Sequence, residues 1–407
     1  MDVRAVAGLA DTMLPPGTKG RPFGIDEISL GKVASSGASV LDGGFAMPLM
    51  VLKASALQRN AETMSRYCAA HGVSLAPHGK TTMSPQLFQR QFEAGAWALT
   101  AATPAHLQVY RRFGIERILY ANELVEPSVI AWLAQELDRD PEFEFICLVD
   151  SVAGVELLDR GLDRVGPSRP AGALIEIGHR AGRCGVRDPG EAQAVAVALD
   201  AAKFVELRGV ECYEGLLADG EGTAAVDEFL ASVRITVADL IPRTSLAGRS
   251  EVLLSAGGSA YFDRVVETFA GRGDGLDLHV VLRSGCYLTQ DGGFYSRLSP
   301  LVGRHPGEPE LREAIEIWSV VLSRPEPGRL VCSMGRRDAP HDMGLPVPTR
   351  LSRAGGLPSP LIDARIEALS DQHGHVLLDP AADVQVGDLI GSSISHPCTA
   401  FDKWRVI

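Results

Sequence analysis

Lysine is scarce in this sequence: 407 residues carry six, at positions 19, 32, 53, 80, 203 and 403. Basic charge as a whole falls short of acidic, and the net charge of -12 argues against nucleic acid or an anionic membrane surface as the main partner. No uninterrupted apolar run reaches the roughly 18 residues that a membrane span needs. The opening stretch, MDVRAVAGLADTMLPPG, holds Asp2 and Asp11 and lacks the apolar core of a secretory signal. The seven cysteines are odd in number and scattered, with no C-x-x-C between them. That excludes a disulfide framework and points to a reducing cytoplasm. No G-x-G-x-x-G follows an early strand-like segment, which speaks against a dinucleotide fold.

What is present is an alternation of short apolar runs with amphipathic segments. FAMPLMVLK (45–53) reads as a buried strand, and ASALQRNAETMSRYCAAHG as a helix closed by Gly72. Strand-like stretches follow at 73–80, 97–103, 117–123, 143–150, 172–178, 205–213 and 251–257, with helix-like segments between most of them. Eight such strands predict a (β/α)8 barrel over residues 45–272. Beyond it LDLHVVLRSGCYLTQ (276–290), EIWSVVLSR (316–324) and GRLVCSM (329–335) read as strands without helices between them. That predicts a mostly antiparallel β domain over 273–407, which the Gly-, Pro- and Ser-rich residues 1–44 are expected to join.

Four places carry candidate chemistry. In APHGKTTM (76–83) one of the rare lysines, Lys80, follows His78 and Gly79 at a predicted strand end. In a barrel that is where catalytic groups stand, and an amine there could form a Schiff base with an aldehyde cofactor. Gly79 would let a ligand approach the backbone. In LLSAGGSAYFD (253–263), Ser255, Gly257, Gly258 and Ser259 offer hydroxyls and unhindered N–H groups where barrels often bind phosphate. IEIGHRAGRCGV (175–186) supplies His179, Arg180 and Arg183, and GVECYEG (209–215) supplies Tyr213 for ring packing or hydrogen bonding. In SHPCTAFDKW (395–404), His396 and Cys398 stand two apart. In an extended strand that spacing turns both side chains to one face, and imidazole with thiolate suits zinc. His373 and His375 alternate in a similar way in LSDQHGHV, but Gly374 between them reads as a turn.

PHGKTTMSPQLFQRQFEAGA, GRCGV, SAGGSAYFD, LRSGCYLTQDG and SHPCTAFDKW together resemble the D-serine dehydratase / D-threonine aldolase family, fold-type III pyridoxal-phosphate enzymes with an alanine-racemase-like barrel. The bacterial amino-acid deaminase branch looks nearest. The resemblance implies that Lys80 anchors pyridoxal 5'-phosphate and that Arg183 faces its ring. It places the phosphate near Gly257, Gly258 and Ser259, and makes His396 and Cys398 the metal ligands. Aldolases of this group tend to carry His-x-Asp at the last position, so His-x-Cys resembles the zinc-dependent dehydratases. Ala76 and Thr82 depart from the arginine and second histidine common around the lysine, and Arg337 stands where many relatives have lysine. The activity implied is dehydration of D-serine or a related 3-hydroxy D-amino acid to a 2-oxo acid and ammonia, with Zn2+. The alternatives are a metal-dependent D-threonine-type aldolase and a racemase using Tyr287 on the opposite face. The resemblance further implies a homodimer.

Overall fold

A computed structural model describes residues 1–217, 223–270, 276–302, 304–305, 309–353 and 355–407. The chain forms two compact units. One comprises Met1–Asp2, Met64–Lys80 and Ser84–Gly285; the other comprises Val3–Thr63, Thr81–Met83 and Cys286–Ile407. Strands are numbered in chain order.

The first unit holds parallel strands β2 (Ser74–Leu75), β3 (Leu99–Ala101), β4 (Arg117–Glu123), β5 (Glu144–Val149), β6 (Ala171–Ile177), β7 (Val205–Cys212), β8 (Val252–Ala256) and β9 (Leu278–Leu282). Their order is β2-β9-β8-β7-β6-β5-β4-β3. The two end strands meet, because His78 bridges Thr100 and the Trp97 N–H donates to the Leu75 carbonyl at 2.8 Å. The sheet is therefore a barrel, and a helix follows each of β2 to β8. Four of those helices begin with proline, at Pro85, Pro104, Pro127 and Pro189. A proline there loses nothing, since the first helical N–H has no acceptor, and its fixed φ favours the first turn.

Side chains alternate along a strand with a period of two, so each barrel strand contributes to successive inward layers. One layer is apolar: Ala76, Ala98, Leu119, Ile146, Leu174, Leu253 and Val281 form a single buried cluster. Two residues further on, the same strands present His78, Thr100, Glu176, Ser255 and Arg283. Glu211 joins them, paired in register with Ser255. The apolar layer plugs the barrel, and the polar layer lies at its C-terminal end.

The second unit contains β1 (Leu49–Leu52), β10 (Ile315–Glu326), β11 (Arg329–Cys332), β12 (Val347–Ser352), β13 (Ser359–Pro360), β14 (Arg365–Leu369), β15 (Gly374–Leu377) and β16 (Leu389–Ser393). They run β13-β12-β16-β10-β11-β15-β14, with β1 added to β10, and every pair is antiparallel. Leu14 and Ile28 pack against Val406 near the end of the chain.

The fold class is the expected one, with two strands exchanged between sheets. The run at 45–53 was expected to open the barrel, but β1 pairs with β10, Leu49 opposite Trp318. The run at 276–290 was expected in the β domain, but β9 lies between β2 and β8 in the barrel. Both are short buried apolar runs, and such a run satisfies either sheet equally. Its partners decide: β10 for β1, and β8 together with the distant β2 for β9. Among the described residues no helix is long and apolar enough to cross a membrane.

Candidate active site

Lys80 stands exposed in a short 3-10 turn, Gly79–Thr81, just past the His78–Thr100 bridge. Gly79 is required there for packing rather than for ligand access. An added Cβ would collide with the hydroxyl of Tyr110, a fully buried ring whose O–H donates to the Thr100 carbonyl at 3.2 Å. The His78 Nδ1 is buried without a hydrogen-bond partner. Burial, and then the positive charges of Lys80, Arg283 and Arg183, hold its imidazole well below the usual histidine range. His78 is therefore a neutral ring with a spare nitrogen beside the amine.

The polar layer beneath is partly self-satisfied, with Glu211 Oε2 and Arg283 Nε buried without a hydrogen-bond partner. Arg283 (3% exposed) pairs with Glu211 (2% exposed) and donates to the Ser255 carbonyl and hydroxyl and to the Cys212 carbonyl. The Ser255 hydroxyl itself donates to the Val281 carbonyl at 3.3 Å. Glu176, Glu123 and Cys184 bring their ligand atoms within 4.8 Å of one another. Burial foremost, then Glu211 and Glu123, push the Glu176 carboxyl up to about 9, so it is protonated at neutral pH and donates toward Glu123.

Beyond β8 the backbone turns through Gly257, whose φ of +84° favours glycine and where a Cβ would meet Leu282 at 2.6 Å. The N–H groups of Gly257 and Gly258 both point at the buried Glu214 carboxylate, at 3.2 and 2.7 Å. Two adjacent amides gripping one carboxylate make an anion cradle, filled here by the chain's own acid. The Tyr213 ring lies 4.7 Å below the Arg183 guanidinium. Gly215 and Gly258 make room for it, since a Cβ at either would sit 2.5 or 3.0 Å from the ring or its hydroxyl.

The second unit has its own cluster. Cys398 Sγ lies 3.5 Å from Cys286 Sγ and 3.6 Å from Thr81 Oγ1, and Thr81 Oγ1 lies 4.0 Å from Cys286 Sγ. The His396 imidazole hydrogen-bonds Cys398, and its Nδ1 meets Asp342 Oδ2 at 2.5 Å. The hydrogen bond to Cys398, and then Asp342 against the effect of burial, push His396 up to about 9. The bond from Cys286 leads in pulling Cys398 down to about 4, with His396 and Thr81 helping against burial. These neighbours favour the thiolate form of Cys398. These donors do not come from strand alternation, as was expected. His396 sits just before the short helix Pro397–Phe401 at φ +73°, ψ 90°, a conformation costly for a residue with a Cβ. Asp291, fully buried, holds it there by accepting the His396 N–H at 2.8 Å, along with the N–H groups of Gly293 and Tyr295.

Two sulfurs, an imidazole and a hydroxyl suit a soft divalent cation, and a carboxylate behind the histidine is the usual support of such a ligand. The barrel end suits an aldehyde cofactor through Lys80 and the unpartnered His78 nitrogen.

Residues 314–407 match the family described as "Putative serine dehydratase domain". The chain is 27% identical to a 3-hydroxy-D-aspartate aldolase of Paracoccus denitrificans, over 88% of this chain and 87% of that protein. It is 25% identical to a D-threonine aldolase of an Arthrobacter species, over 82% and 81%. Among solved structures, D-threonine aldolase from Filomicrobium marinum superposes with a TM-score of 0.74 at 23% identity, covering 88% of this chain and 90% of that one. D-threo-3-hydroxyaspartate dehydratase from Delftia sp. HT23 gives 0.70 at 20%, covering 88% and 93%. The chain is thus similar over most of its length to these aldolases, and over residues 314–407 to the serine dehydratase domain family.

The positions taken from sequence fall out unevenly. Lys80 and His78 share the barrel end, and His396 and Cys398 share the second cluster. Arg183 lies on Tyr213, and both line the loops of the first unit. Ser255 turns into the barrel wall and is committed to Val281 and Arg283, which removes it as a free phosphate donor. Gly257 and Gly258 hold Glu214, leaving Ser259 as the next residue of that turn. His179 leans on its own loop and on Phe229. His373 lies in the turn between β14 and β15, and Tyr287 is 2% exposed.

Several members of the two clusters were not read from sequence: Glu211, Arg283, Glu176, Glu214, Cys286, Asp291 and Asp342. The first three carry a signal in retrospect. Each is a charged residue at an inward position of a barrel strand, which an apolar core tolerates only with a partner.

Proposed function

We propose that this lyase of D-amino acids carries pyridoxal phosphate on Lys80 and zinc on His396 and Cys398, and dehydrates a 3-hydroxy D-amino acid such as D-serine. The products would be a 2-oxo acid and ammonia. When bound, the cofactor supplies an electron sink for charge at the substrate's α-carbon, and the cation a Lewis acid for the departing β-hydroxyl. The chain's own residues supply the rest. Lys80 Nζ would hold the cofactor, and its amine would accept the proton at the substrate's α-carbon. Neutral His78 adds no second positive charge beside Lys80. Asp342 fixes the His396 tautomer by accepting a hydrogen bond from Nδ1–H, which leaves Nε2 to ligate.

The observation that carries this reading is the convergence of Cys398 with Cys286 and Thr81, with His396 two residues away and Asp342 behind its imidazole. A thiolate favours zinc over magnesium or manganese. Further support comes from D-threo-3-hydroxyaspartate dehydratase, whose solved structures include a histidine-to-alanine and a cysteine-to-alanine variant, two positions apart, the latter in the metal-free form. Retro-aldol cleavage is the second reading, favoured by the aldolases that align over most of the chain.

Products separate the two. D-Threonine gives 2-oxobutanoate and ammonia by dehydration, but glycine and acetaldehyde by cleavage. The expected result is a 2-oxo acid from D-serine, D-threonine or 3-hydroxy-D-aspartate, lost on chelation. Glycine and an aldehyde as the sole products would replace this reading with the second.

A further inference from the structure

We propose that Cys286 is a third protein ligand of the metal, so that the centre binds through two sulfurs and one imidazole nitrogen. The inference rests on the metal dependence proposed above and goes beyond the His-x-Cys pair.

The geometry makes the case. Cys286 lies more than 100 residues before Cys398, yet the two sulfurs are 3.5 Å apart. In a tetrahedral zinc site with Zn–S bonds of about 2.3 Å, ligand sulfurs stand about 3.8 Å apart. The observed separation is close to that edge and far longer than a disulfide of about 2.05 Å. Cys286 is 3% exposed and Thr81, which contributes the hydroxyl 4.0 Å away, is 1% exposed. A buried thiol with no role usually faces apolar neighbours. This one faces a second sulfur, a hydroxyl and the Tyr295 phenol. On the other side of Cys398, the imidazole of His396 is fixed by Asp342, and its backbone is fixed by Asp291. Two sulfurs and an imidazole, donors of the type zinc prefers, thus come from two separate stretches of chain, Cys286 from one and His396 with Cys398 from the other. A fourth position is left for the Thr81 hydroxyl, water or a substrate oxygen, as a catalytic zinc requires.

The chemistry has a consequence for the reaction. A second thiolate adds negative charge to the ion and weakens its Lewis acidity, but raises its affinity and its selectivity for zinc over harder cations. The centre would retain zinc under chelation that strips a single-thiolate site.

The test uses the full-length protein freed of metal and reloaded with one equivalent of zinc, or of cobalt as a spectroscopic probe. X-ray absorption at the zinc edge counts sulfur neighbours directly. The proposal expects two sulfurs per zinc in the unaltered protein, and one in Cys286→Ser and in Cys398→Ser. It also expects a thiolate-to-cobalt absorption that drops by about half in either variant, and at least tenfold weaker zinc retention against a competing chelator in Cys286→Ser. One sulfur per zinc in the unaltered protein overturns the proposal while leaving the metal reading standing. No stoichiometric zinc at all overturns both. Should Cys286→Ser fail to fold, the sulfur count on the unaltered protein still decides.

Discussion

The polar end of the barrel and the cluster around Cys398 solve opposite problems. In the barrel, charges are buried in pairs that consume one another. Arg283 serves Glu211, Ser255 and the Cys212 carbonyl, Glu176 keeps its proton, and the cradle of Gly257 and Gly258 holds Glu214. Lys80 stands exposed at the rim of this network. In the second unit, Cys286, Cys398 and Thr81 are electron-pair donors within 4.0 Å of one another, His396 stands two residues before Cys398, and Asp342 and Asp291 hold His396 from behind. A scaffold that positions one reactive amine needs a stiff, self-neutralised floor. A scaffold that positions a cation needs donors whose mutual repulsion or proton sharing the cation relieves. The difference shows which residues are structural and which are chemical in each unit.

That contrast can be broken at defined points. The largest effect is expected at Lys80: Lys80→Ala should abolish both turnover and the visible absorbance that pyridoxal phosphate acquires on the protein. Retention of that absorbance would remove Lys80 as the anchor. Next is the barrel floor. Arg283→Met leaves Glu211 buried without its partner and should cost about 3–5 kcal/mol of stability by urea denaturation. A loss below 1 kcal/mol would mean that the pair is not what holds the floor together.

Asp342→Asn tests the second unit without touching a ligand. Weakening the support behind His396 should lower zinc affinity about 10–100-fold, with the melting temperature of the metal-free protein little changed. A further effect concerns pH. Glu176 has its folded pKa raised to about 9, above the ordinary carboxyl value near 4.3. Its contribution to stability is therefore complete below the unfolded pKa and falls as pH rises toward 9, by at most about 1.4 kcal/mol per pH unit. Glu176→Gln, which mimics the protonated acid, should flatten the stability profile between pH 5 and 9. A parallel profile for the two proteins would show that Glu176 is ionised in the fold.

The two regions also differ in how far the sequence discloses them. The barrel is legible as an architecture because strand and helix periods alternate, and Lys80 stands out because lysine is rare. Its wiring is hidden. Ser255 looks like a phosphate donor beside two glycines, yet the period of two places it in the layer with Arg283. Glu214 looks like a loop acid until its two amide partners are seen. The exchange of β1 and β9 between sheets has the same origin, since pairing is non-local and a short apolar run does not name its partner. In the second unit the donor types at 396 and 398 are legible, but the reason they converge is not. The left-handed φ at His396 depends on Asp291, and the second sulfur depends on a residue 112 positions earlier.

The central claim is that one amine in the barrel carries the cofactor while the donors of the second unit supply a metal needed for the elimination step. The most direct measurement follows cofactor absorbance and 2-oxo acid formation together while a chelator removes the metal, and then while zinc is restored. The account predicts that the absorbance persists unchanged, that product formation from D-serine or a related 3-hydroxy D-amino acid stops, and that zinc brings it back. Undiminished product formation by metal-free protein would contradict it.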